Sequence, residues 1–181
     1  MHGIQTWVAL PIEHAEIAPD FVHHPAETLP EFDLGGASAR VLAGTAFGHR
    51  SPVDFPHTIW YVGGEADNGA TFTVGKYEAV ERALYIADGS AVIAGQTIEA
   101  GQMAVLTEGV DVEISMSAGT RFMLAGGDPM DAPRKIDWNF VSADQKRIEQ
   151  AKADWNASIE GGWTNTPFTL PEGETDFIPL P

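Results

Sequence analysis

Val80-Glu81-Arg82-Ala83-Leu84-Tyr85-Ile86-Ala87-Asp88-Gly89-Ser90-Ala91-Val92-Ile93-Ala94 is the stretch that decides the fold class. Val80, Arg82, Leu84 and Ile86 alternate with Glu81, Ala83 and Tyr85, the period of two that sends neighbours to opposite faces of a strand. Asp88-Gly89 then makes a tight hairpin turn and Ser90-Ala91-Val92-Ile93-Ala94 returns. Further along, Gly95-Gln96 and Ala100-Gly101-Gln102 turn the chain again. Val110, Val112, Ile114 and Met116 alternate with Asp111, Glu113 and Ser115, so one face of that strand is expected buried and the other wet. Gly119 separates it from a last apolar run, Phe122-Met123-Leu124-Ala125. From Ala37 to Gly126 such runs recur between glycine turns at intervals of roughly ten residues, which predicts an all-β sandwich or barrel.

On either side of this core the texture changes. Residues 1–35 carry Pro11, Pro19, Pro25 and Pro30 and read as an extended arm with one short strand, Ile4 to Leu10, anchored by Trp7 and Phe21. Ordering such an arm costs about 1–2 kcal/mol per residue, which only contacts offset. After Gly126-Gly127-Asp128-Pro129, Ser142-Ala143-Asp144-Gln145 has the form of a capping box opening a helix to about Asn156. Ile148, Ala151 and Trp155 share one face of that helix. The glycine- and proline-rich tail closes on Phe177-Ile178-Pro179-Leu180-Pro181, an apolar ending expected to dock. The predicted division is an arm at 1–35, a β core at 36–128, and a helix and tail at 129–181 that pack on the core or on a partner.

With 10 basic and 26 acidic residues the formal charge of the 181-residue chain is −16. Such a surface repels phosphate backbones, which argues against direct nucleic-acid binding. The absence of cysteine removes disulfides, thiolate nucleophiles and thiolate metal sites together. The first residues lack the basic start and apolar core of a signal peptide, and no apolar run is long enough for a membrane helix. A cytoplasmic protein is the default expectation.

Gly-x-Ser-x-Gly is absent, and Glu78 and Glu81, three apart, face opposite sides of a strand rather than forming an acid–base pair. No catalytic residue is therefore expected. The histidines, His2, His14, His23, His24, His49 and His57, all lie in the first third of the chain. No His-x-His occurs, and the adjacent pair His23-His24 points to opposite sides of an extended chain. His57, opening His57-Thr58-Ile59-Trp60-Tyr61-Val62, is the histidine a strand could bring to a barrel mouth. Trp60, Tyr61, Tyr77 and Tyr85 lie on or beside core strands; of these Trp60, Tyr61 and Tyr85, with His57 and Arg82, form the candidate lining of a ligand cavity. Arg82 shares its alternation with Val80, Leu84 and Ile86, so its cation points inward. A buried arginine needs a partner, expected to be an internal acid such as Glu78 or Glu108, or an anionic ligand.

Gly126-Gly127-Asp128-Pro129-Met130-Asp131-Ala132-Pro133-Arg134, Trp138-Asn139-Phe140-Val141-Ser142, Arg147-Ile148-Glu149-Gln150-Ala151-Lys152-Ala153-Asp154-Trp155 and the closing Phe177-Ile178-Pro179-Leu180-Pro181 resemble the carboxyl-terminal end of bacterial pirin-like proteins. His2-Gly3-Ile4-Gln5-Thr6-Trp7-Val8-Ala9-Leu10-Pro11 is similar to the segment joining the two cupin domains of that family. The resemblance implies a cupin-type double-stranded β-helix, or jelly-roll barrel. It also implies that the family's iron belongs to a first barrel, upstream of what this chain matches. Aligned on Gly89, the conventional cupin metal motif would place histidines near Lys76 to Glu78 and a glutamate near Arg82. None of those residues matches, so neither a metal nor another cofactor is expected in this chain.

Two functions follow as expectations. One is a metal-free pirin-like module that binds a protein or small ligand in a regulatory role. The other is part of a quercetin 2,3-dioxygenase-type oxygenase whose iron lies in a missing or separate cupin domain. The surface that meets the first barrel in the family would be an exposed apolar patch here, which predicts a symmetric homodimer or pairing with another cupin domain.

Overall fold

The computed structural model of the chain describes residues 3–181, so His2 lies outside the described residues. Two compact units emerge: Ala18–Pro129, and the residues up to Ile17 together with Met130–Pro181.

The first unit holds eleven strands: β1 (Glu31–Leu34), β2 (Ala37–Ala46), β3 (His49–Arg50), β4 (Ile59–Ala66), β5 (Ala70–Val74), β6 (Glu81–Asp88), β7 (Ser90–Ile93), β8 (Gln96–Glu99), β9 (Met103–Val105), β10 (Val112–Met116) and β11 (Thr120–Gly127). They form a seven-stranded sheet ordered β1-β2-β4-β11-β6-β9, with β3 on β2, and a four-stranded sheet ordered β5-β10-β7-β8. Every ladder is antiparallel. The expected alternation is realised in β6, where Arg82, Leu84 and Ile86 are buried and Ala83 and Tyr85 face the other way, but not at Val80, which precedes the strand and is 39% exposed. Trp60, Val62, Leu84, Ile86, Phe122 and Leu124 from the larger sheet meet Phe72, Val74, Ile114 and Met116 from the smaller one. The rings of Phe72 and Phe122 stand 5.8 Å apart.

At one edge the two sheets meet where the Thr71 N–H donates to the Gly35 carbonyl at 3.0 Å. Gly35 has φ +62°, and a Cβ there would stand 2.1 Å from the Thr71 carbonyl oxygen, so this closure requires glycine. At the other edge the Gly101 N–H donates to Ile86 O and the Ile86 N–H to Gln102 O.

The second unit carries β12 (Lys135–Asp137), β13 (Phe140–Ser142) and the helix α1 (Gln145–Glu160). Ile148, Ala151 and Ser158 are its buried face, with Trp155 beside them. The helix outruns the expected end at Asn156, and its cap differs from the capping box expected at Ser142. Asp144 is the N-cap, accepting the Lys146 N–H at 2.9 Å, while Ser142 ends β13 and accepts the Asp144 N–H. The carboxylate one residue before the helix is better placed for its free N–H groups than a hydroxyl three residues back. The tail docks: Trp155 Nε1 donates to Ile178 O at 3.1 Å, and Trp163 lies 5.2 Å from Phe177.

The arm departs from expectation in three ways. Ile4 to Leu10 forms no strand, because no ladder partner lies beside it. Its end is instead pinned by charged side chains. The Ile12 N–H donates to Asp131 at 2.7 Å, and the Arg134 guanidinium donates to Leu10 O at 2.6 Å. Neither expected aromatic anchor is buried, Trp7 being 53% and Phe21 89% exposed. Glu31–Leu34, within the stretch read as arm, is strand β1. Among the described residues no helix is long and apolar enough to cross a membrane.

Candidate functional site: a buried guanidinium and an apolar outer face

Trp60, Gly126 and Arg82 are register partners across β4, β11 and β6, so they form one row aimed into the barrel. A Cβ on Gly126 would come within 2.4 Å of the indole, so glycine makes room for Trp60 to lie over it. Trp60 is 2% exposed, donates through Nε1 to Glu78 O at 3.1 Å, and meets Phe47 edge-on at 6.0 Å.

Arg82 is 2% exposed. Nη1 donates to Val74 O at 3.1 Å and Gly75 O at 2.8 Å; Nη2 donates to Thr107 O at 2.5 Å and Val110 O at 2.9 Å. The internal acid expected as its partner is absent from this set. Glu78 turns its carboxylate to the Phe47 N–H at 3.0 Å, and Glu108 is exposed. The physical reason is local: Gly75, Thr107 and Val110 lie just beyond the ends of β5, β9 and β10, where the ladders stop and carbonyls need donors.

The five residues grouped as a cavity lining are not brought together. Trp60 and Arg82 share the interior row. Tyr61 and Tyr85 project from the opposite face, as odd-numbered neighbours must on these strands. His57 Nε2 lies 3.0 Å from Asp128 O, half-buried. Tyr77 is 90% exposed, with the Lys76 ammonium 5.1 Å from its ring. Of the other histidines, His49 stacks on Phe32 at 4.4 Å and His14 lies 3.5 Å from Glu13.

Two features are placed only by the structure, the first being an apolar surface that the sequence leads one to expect without locating it. On the outer face of the seven-stranded sheet, register aligns Val105, Ala83, Ala125 and Tyr61 in one row, and Met103, Tyr85, Met123 and Gly63 in the next. Over these four strands both rows are free of charge, the second meeting Arg40 and Glu31 only beyond Gly63, and Met103 and Val105 on edge strand β9 are 63% and 82% exposed. Only strand pairing could reveal it, since the eight residues come from four separate segments. The other is an open hollow of about 590 Å³ lined by Glu31, Asp33, Glu65, Asp67, Phe32 and Asn68. Its charge is partly answered: Glu31 is bonded by Arg40 and Ser38, which hold its carboxyl below the usual range with the Ser38 hydroxyl the larger cause, and Glu65 pairs with Arg121 at 3.1 Å.

A cupin iron of the kind implied by the resemblance does not fit these residues. Lys76, Tyr77 and Glu78 lie in a loop between strands, and the glutamate's place is taken by a cation already surrounded by carbonyls. Among the described residues no three His, Asp or Glu side chains converge as a metal group.

Comparison with known proteins agrees with this architecture. Residues 61–160 match the model of the pirin C-terminal cupin domain. A pirin-like protein of Caulobacter vibrioides is 46% identical over 183 aligned positions, covering 100% of this chain and 60% of that protein. Human pirin is 28% identical over 166, covering 88% and 57%. The crystal structure of a quercetin 2,3-dioxygenase from Acinetobacter baumannii superposes with a TM-score of 0.82 at 27% identity, over 97% of this chain and 56% of that one. The chain thus spans less than two thirds of the length of each of these relatives. The jelly-roll barrel with its carboxyl-terminal helix, and the match across more than half its residues, show that the chain belongs to the pirin family of cupin proteins.

Proposed function

We propose that this chain is a binding module of regulatory type, which works through the outer face of its larger sheet rather than by chemistry inside the barrel. The observation that carries the reading is the pair of uncharged rows on that face, ending in exposed Met103 and Val105, on a chain of formal charge −16. A contiguous apolar band with an unpaired edge strand is a surface suited to another sheet. Its occupant is a second cupin barrel, supplied by another copy of this chain or by a separate cupin domain. In sedimentation or light scattering the chain alone should associate as its concentration rises. Met103→Glu combined with Val105→Glu should return it to monomer with the far-UV spectrum unchanged. A wild-type chain that stays monomeric at high concentration, and fails to bind a metal-bearing pirin-type cupin domain added in trans, would refute the reading.

A second reading is favoured by the Acinetobacter baumannii structure, whose name is quercetin 2,3-dioxygenase. The chain would then be one part of an oxygenase, with iron held by a separate cupin domain. Iron analysis and quercetin consumption separate the two. Turnover by the isolated chain sinks the binding-module reading, and turnover only after addition of a metal-bearing cupin domain favours the second.

A further inference from the structure

The buried end of the barrel poses a coordination problem whose solution does not depend on what the outer face binds. One full positive charge sits at 2% exposure with four carbonyl oxygens around it, from Val74, Gly75, Thr107 and Val110, and no carboxylate among its hydrogen-bond partners. A buried charge is costly unless oriented groups replace its water, and backbone carbonyls are the groups that proteins use around hard cations. The four oxygens come from segments flanking both sheets: residues 74–75 end β5 of the smaller sheet, and residues 107 and 110 lie between β9 of the larger sheet and β10 of the smaller. The backbone of Arg82 joins the same closure, its carbonyl accepting the Leu106 N–H at 2.8 Å. Four of the five guanidinium donor positions are used, and the buried Nε–H has no acceptor among the described residues.

We propose that this is a cation site with its cation supplied by the chain itself. The Arg82 guanidinium ties the β5 end to the 107–110 turn as a bound ion would, and denies that end of the barrel to a metal ion. It stands near the strand position where the conventional cupin metal motif, aligned on Gly89, would place a glutamate. One residue thus occupies the place where that motif would need both a ligand and an ion.

The decisive variant is Arg82→Gly in the full chain, which leaves the carbonyls facing a void. Its thermal midpoint should fall by roughly 10 °C, since several buried acceptors lose their donors. Millimolar guanidinium chloride should restore much of that loss in a saturable way, whereas sodium chloride and urea should not, and the wild type should gain nothing from it. Absence of rescue by guanidinium beyond that of sodium chloride would overturn the proposal. So would an Arg82→Met chain as stable as wild type, because the carbonyls would then need no cation. Should Arg82→Gly fail to fold, the wild-type chain still decides. Its Arg82 Nη–H protons should appear in NMR as separate, slowly exchanging signals that ferrous or zinc ion leaves unmoved. A single averaged signal, or stoichiometric metal binding that shifts these resonances, would refute it.

Discussion

The barrel and the unit built from the two chain ends bury their side chains by different means. In the barrel, alternation does the work: Val41, Val62, Val74, Leu84, Ile86, Ile114 and Leu124 are all fully buried, and most are of modest size. Two apolar sheet faces stacked together hide every second residue regardless of its bulk. In the other unit the strands are three residues long and the helix buries only Ile148, Ala151 and Ser158. Its interior is a chain of ring contacts. Trp155 meets Trp138, Trp163 and Phe168 at 5.3, 5.0 and 5.3 Å, and Trp138 meets Phe140 at 5.4 Å. The difference shows what short elements need. Where no ladder is long enough to exclude water, a few large rings and charged pins at backbone groups take over.

Three changes break or sharpen that contrast. The largest effect belongs to Phe122→Ala, whose ring is 1% exposed and fits beside Gly64 so closely that a Cβ there would stand 2.3 Å away. The sealed cavity left behind should cost about 3–5 kcal/mol in urea unfolding. A loss below about 1 kcal/mol would mean that the barrel interior can collapse around the gap. Trp155→Ala comes next. Losing three ring contacts and the bond to Ile178 O should cost about 2 kcal/mol, with amide exchange rising in α1 and the tail. Unchanged protection of the tail would show that rings are not what holds it.

The smallest effect concerns Asp131. The Ile12 N–H, and after it Arg134, hold its carboxyl below the usual 3.8. A lowered folded value means that the contact contributes fully above pH 3.8 and is lost as pH falls through the lowered value. Asp131→Asn should therefore speed exchange of the Ile12 amide at neutral pH while moving the thermal midpoint by only about 1 °C, because the carboxylate itself is exposed. An unchanged Ile12 amide would mean that the arm is held elsewhere.

How much of this was legible follows from how local each signal is. The all-β core and the inward aim of Arg82 rest on alternation within a few residues, and both appear in the structure. The hairpin expected at Asp88-Gly89 does not form: β6 pairs with β11 and β9 while β7 pairs with β10 and β8, so this turn carries the chain from the larger sheet to the smaller one. The opposed faces of Trp60 and Tyr61 are equally legible from their adjacency, which rules out one cavity lined by both. The hairpin of β12 and β13 left no trace because three-residue strands have no period, and it turns at Trp138 with φ +52°, which no tryptophan announces.

By itself the sequence determined which residues face inward, because backbone geometry ties parity to direction on any strand. Tertiary structure alone decided what they meet there. Arg82 finds its acceptors 7 to 28 residues away, and they are carbonyls, groups that every residue carries and no residue type marks. Leu10 and Ile12 likewise meet Arg134 and Asp131 across nearly the whole chain. Those pairings depend on where the strands stop and how the chain ends return, which is a property of closure in space.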